Sequence, residues 1–202
     1  MAKKIISLLL AACMMISVLP VYSIAADTAA PSNHMKPGGY HLYKDLPTEE
    51  NPEITGLYLG AAVENGGSFY GLSSAASSNA FSTTTDIAEQ GTITVRYGGN
   101  DPTYGAYYYV VFTLSTGASY ALAYASGYFS NNKIQDTGEP SGGWQAKHKM
   151  FYDQDSQFFY HRPAADMTVM KGLKLSTSSK KIFTETVANL QTENAAYVPV
   201  RL

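Results

Sequence analysis

The sequence predicts an all-β protein: a single-domain β-sandwich or barrel that follows an N-terminal signal peptide. Three observations lead there. Past residue 53 the apolar residues fall in short runs separated by Gly, Pro, Asn and Asp, which is the spacing of strands and turns rather than of helices. No amphipathic stretch of ordinary helix length follows residue 27. The composition is rich in tyrosine and poor in charge, with 16 Tyr and 15% charged residues, against about 25% charged in ordinary soluble domains.

The 202 residues suit one domain, divided by pattern into a leader at 1–26, an extended lead-in at 27–52 and the β domain at 53–202. Lys3 and Lys4 precede an almost unbroken apolar run from Ile5 to Leu19. Pro20 ends the run, and Ser23-Ile24-Ala25-Ala26 supplies small residues for cleavage. Charge, apolar run and small-residue site in that order define a secretory signal peptide, with cleavage after Ala25 or Ala26. Leu10-Ala11-Ala12-Cys13 resembles a lipobox, so a lipoprotein anchored through Cys13 is the alternative, although the apolar run continues beyond that cysteine. An uncleaved anchor is a third reading. Cys13 is the only cysteine, so cleavage leaves a domain held together by its core and not by disulfides. The style of the leader suggests a bacterial protein, secreted or displayed at the cell surface.

The lead-in carries Pro31, Pro37, Pro47 and Pro52, with Tyr40, Leu42 and Leu46 available to pin its later part to the domain. Ile54–Val63 reads as the first strand, Asn65-Gly66-Gly67 as a turn and Ser68–Leu72 as its return. Ser73–Thr85 is a loop or a weak edge strand. Thr92–Tyr97 alternates cleanly, with Ile93, Val95 and Tyr97 on one face. Gly98 to Pro102 reads as the turn of a hairpin whose second arm is Ala106–Leu114. That arm is apolar on both faces and belongs in the middle of a sheet. Ser119–Phe129 alternates large tyrosines and leucine with alanines, and Asn131–Gly143 reads as a long polar loop. Met150–Tyr152 and Gln157–His161 are short aromatic strands. Met167–Leu175 follows, then Lys181–Leu190 as a strand or short helix. Ala196–Leu202 closes the chain as a strand that Pro199 confines to an edge.

Functional signals are few. The formal charge of −2 lacks the basic excess of a nucleic-acid binder. No glycine pair opens a helix after a strand, so a phosphate-cradling loop is not expected, and no cofactor is expected either. Asp153 and Asp155 are spaced as weak candidates for a metal, but the rest of a calcium loop is missing and a solvated turn accounts for them. His34, His41, His148 and His161 lack paired ligand spacing. No nucleophile-elbow pattern is present. The most suggestive feature is aromatic: Tyr120, Tyr124 and Tyr128 on a strand, and Trp144 after a Gly-Gly turn. Such groups stack on sugar rings or anchor a protein partner, and they equally pack into cores. The expectation is a non-catalytic binding module for a cell-surface polymer, carbohydrate or extracellular protein, with those four aromatics as ligand-binding residues. A small secreted hydrolase using carboxylates, and a membrane-active β-hairpin protein, are the alternatives.

Overall fold

A computed structural model describes residues 41–42, 45–62, 69–72, 83–84, 89–155, 157–174, 182–192 and 198–201. The signal peptide, most of the lead-in, and the turn at Asn65-Gly66-Gly67 lie outside the described residues.

The protein is mostly β. Its strands are β1 (His41–Leu42), β2 (Glu53–Ala62), β3 (Phe69–Leu72), β4 (Thr83–Thr84), β5 (Thr92–Asp101), β6 (Gly105–Thr113), β7 (Ser119–Tyr124), β8 (Tyr128–Lys133), β9 (Phe151–Asp153), β10 (Phe158–His161), β11 (Lys171–Lys174), β12 (Ile182–Thr186) and β13 (Val198–Arg201). One short helix, α1 (Val187–Thr192), follows β12. All pairings among the described strands are antiparallel, in the order β1-β13-β2-β5-β6-β7-β8-β12-β11-β10-β9, with β3 and β4 branching from the far end of β2. Among the described residues no helix is long and apolar enough to cross a membrane.

The sheet curls until it meets itself. β6 pairs with β5 along its whole length on one side. On the other side only Val111–Thr113 pair with β7. The free first half of that side is taken by the segment entering β9: Tyr108 N–H donates to the Met150 carbonyl (2.7 Å), and Met150 N–H donates to the Tyr108 carbonyl (2.8 Å). The unpaired backbone that an edge would expose there is thereby satisfied.

The period of two in the sequence explains which face is buried. Ile93, Val95, Tyr108, Val110 and Phe112 point to a core that also holds Leu57, Leu59, Leu122, Phe129, Met150, Phe159, Leu173 and Ile182. A second cluster on the opposite face of the β9–β10–β11 strands consists of Phe151, Phe158, Tyr160, Val187 and Leu190. β10 is therefore buried on both faces, and all four residues of its Phe158–His161 run lie out of solvent. Thr186 caps α1 by accepting the Asn189 N–H (3.3 Å), and Leu190 packs over the bare backbone of Gly172.

Several expectations change at the level of turns. Gly98 and Gly99 do not form the hairpin turn. β5 runs on to Asp101, and the two glycines sit at a register shift between Tyr97 and Gly99, a bulge in the strand. The turn comes later, where Asp101 Oδ1 accepts the N–H groups of Thr103 (2.9 Å) and Tyr104 (3.1 Å). Ser119–Phe129 is not one strand. Ala125–Gly127 breaks it, with Ser126 at a φ of 68°, and the polar residues Asn131, Asn132 and Lys133 extend β8 instead of opening a loop. Their strand pairing with β7 outweighs their polarity. The Lys181–Leu190 ambiguity resolves as both strand and helix in succession. β13 is flanked by β1 and β2 and is not at the edge. Pro199 is tolerated because β1 reaches only Val200 and Arg201.

Candidate functional site

The outer face of β5, β6, β7 and β8, away from the main core, collects the chemistry. Register places Arg96 opposite Tyr109 and Thr94 opposite Val111 on that face. β7 adds the buried alanines 121 and 123, and β8 adds Asn132 and Ser130 as their partners. The small side chains leave room, and the 134–149 segment lies over them, with a 3-10 turn at Ala146–His148.

Trp144 stacks on Tyr109 with ring centroids 4.0 Å apart and planes 14° from parallel. Its edge meets the His148 ring at 5.7 Å and 89°. Tyr109 in turn contacts Tyr107 edge-on at 5.9 Å, and Tyr107 reaches Phe151 of the second cluster at 6.4 Å. The result is an unbroken aromatic row, held across the strands. The β5 bulge makes it possible: a Cβ at Gly98 would stand 2.6 Å from the Tyr107 ring and 3.0 Å from that of Tyr109, so only glycine lets both rings lie flat on the strand. Burial, then Tyr107 and Glu139 nearby, push the Tyr109 hydroxyl up to about 12. It stays a neutral donor and acceptor.

Charged groups border the row. Arg96 Nε donates to Glu53 (2.6 Å) and its terminal nitrogen to the Gly138 carbonyl (3.1 Å). Lys149 Nζ lies 4.2 Å from the centre of the Tyr107 ring. A shallow cavity of about 490 Å³ opens just upstream in the same segment, along Lys133–Thr137.

His148 fixes the turn. It is 1% exposed. Its Nδ1 accepts the Gln145 N–H (3.0 Å), which assigns the proton to Nε2, and Nε2–H donates to Asn132 Oδ1 (3.3 Å). Burial first, then the Lys147 charge, lower its pKa to about 4. His161, on β10, donates from Nδ1 to the Lys149 carbonyl (2.8 Å) and stacks on Tyr124 at 4.5 Å. Burial lowers its pKa as well.

The four aromatics singled out from sequence do not share one surface. Trp144 is half-buried on the outer row. Tyr120 and Tyr124 pack against the main core. Tyr128 lies opposite Phe183, the one exposed large hydrophobic among the described residues, at 38%. Asp153 and Asp155 belong to the β9–β10 hairpin, whose turn is closed by Gln157 N–H donating to the Asp153 carbonyl (2.8 Å). Among the described residues no group of three or more His, Cys, Asp or Glu is placed to hold a metal ion. Sequence reasoning placed Tyr107 and Tyr109 on the outer face of their strand but left them out of the ligand-binding set, and it missed His148. The signal for the tyrosines was their parity, opposite to the Tyr108–Val110–Phe112 stripe. Nothing in the sequence pointed to His148.

No family model matches the chain, and no curated protein or solved structure matches it either.

Proposed function

We propose that the protein is an exported bacterial β-sandwich that works as a non-catalytic binding module, its ligand a carbohydrate or related polymer of a cell surface. The observation that carries this reading is the Trp144–Tyr109 stack. It presents an aromatic surface on the outside of the sheet, with Arg96, Glu53 and Lys149 at its border. A sugar ring offers a C–H face for an aromatic plane and hydroxyls for charged and amide groups, and a few polar groups around an apolar platform suit it. Export follows from the leader at residues 1–26, and the low charge and tyrosine content suit a surface that meets polymers rather than nucleic acid.

Retention on insoluble polysaccharides and bacterial cell walls tests the proposal. The wild-type protein is retained at neutral pH. Trp144→Ala loses at least about tenfold in affinity, as expected for a hot-spot aromatic, while Trp144→Phe keeps part of it. Asp153→Ala and Asp155→Ala bind normally. Equal retention of wild type and Trp144→Ala would sink the assignment of this face, and retention on no matrix would sink the carbohydrate ligand.

A further inference from the structure

We propose that His148 makes the Trp144 platform acid-sensitive: protonation of its ring releases the 145–148 turn, and Trp144 with it, from the outer face of the sheet. The functional meaning rests on that face being the binding surface; the release itself does not.

The geometry leaves the ring no harmless place for a second proton. Nδ1 is the acceptor that closes the turn, from the Gln145 N–H. Once protonated, Nδ1 is a donor facing a donor. Nε2 already gives its proton to Asn132. The ring is 1% exposed, so water does not solvate the new charge. The titratable groups that bear on it are Lys147 in its own turn and His161 from β10. Both are cationic or become so in acid. The strands beneath, β7 and β8, present Ala121, Ala123, Ser130 and Asn132 to this face, none of them ionisable. His161 is itself tied to the Lys149 carbonyl, so the two imidazoles hold this segment at Gln145 and at Lys149. Gln145, whose N–H is lost as a partner, is the residue next to Trp144. The ring of Trp144 touches His148 directly, so expulsion of the imidazole removes one wall of the tryptophan's seat.

The chain's single Trp reports on this without a ligand. Tryptophan emission of the purified protein is followed from pH 7.5 to 3.5, with far-UV circular dichroism alongside. The expected result is a reversible red shift below pH 6 while the strand signal holds. His148→Gln flattens the shift and His161→Gln retains it. A wild-type emission that stays constant until the strands unfold overturns the proposal, and so does an unchanged transition in His148→Gln. If that variant does not fold, imidazole C2–H resonances of the wild type give the same information: a His148 titration that leaves the Trp144 indole resonance unmoved overturns the proposal. Retention on polysaccharide at pH 7 and its loss in acid supports the switch acting on ligand. Absence of retention at every pH, with the fluorescence transition intact, overturns the binding reading alone.

Discussion

At the residue scale, the two buried histidines tie stability to pH. Both are held neutral by burial, with pKa values lowered from the ordinary imidazole value. The unfolded chain therefore takes up protons first as pH falls. Their contribution is fully present above about pH 6.5, is lost progressively below it, and for His148 stops falling near its folded value of about 4. For His148 the loss amounts to about 3 kcal/mol. Urea denaturation at pH 7.5, 5.5 and 4.5 is expected to show falling midpoints, with a smaller fall in His148→Gln. Gly98 illustrates the opposite kind of residue, one needed for what it lacks. Gly98→Ala sets a methyl against two rings and is expected to cost about 1–3 kcal/mol, read as a lower denaturation midpoint. It also breaks the Tyr107–Tyr109 contact. The sequence shows the glycine pair but reads it as a turn. Nothing within a few residues reveals that a tyrosine from the next strand lies over it.

At the scale of elements, alternation carried most of the information. β5, β6, β9 and β10 stand where the period of two put them, because each places large apolar side chains on a face that another element covers. Where the segments are polar, as in Asn131–Lys133, strand identity comes from backbone pairing with β7, a long-range partner of which a local pattern carries no trace. Trp144 after Gly142-Gly143 was legible as an aromatic loop anchor; its partner Tyr109, on a strand some 35 residues earlier, was not. The helix α1 depends on its seat more than on its own propensity, being only six residues long. Leu190→Ala is expected to destabilise the fold by about 2–5 kcal/mol. Gly172→Ala is expected to displace the helix from β11, seen as faster amide exchange in Val187–Leu190. An unchanged exchange rate would mean that the helix is held by something other than this contact.

At the scale of the whole molecule, the decisive contact joins elements far apart in sheet order. The reciprocal Tyr108–Met150 hydrogen bonds bring the β9 end of the sheet back onto β6. No composition or periodicity foretold it; the sequence put a sandwich first and a barrel second, and both are made of the same alternating strands. Met150→Pro removes the N–H that reaches Tyr108 and is expected to cost about 3 kcal/mol or more. The Tyr108 amide should then exchange faster than that of Phe112, which β7 still protects. Uniform acceleration along β6 would show instead that the strand loses its structure as a unit.

The position of β13 bears on when the chain can close its sheet during synthesis. Val198 pairs with Gly60 and Val200 with Tyr58, while β1 adds its two residues to the far side of β13. One flank of the sheet therefore lacks its middle strand until the polypeptide has been made to about residue 200. Contacts that span so much sequence form late and slowly. A nascent chain whose N-terminal strands wait for their partner stays loose until its last strand is made, and only then locks into shape.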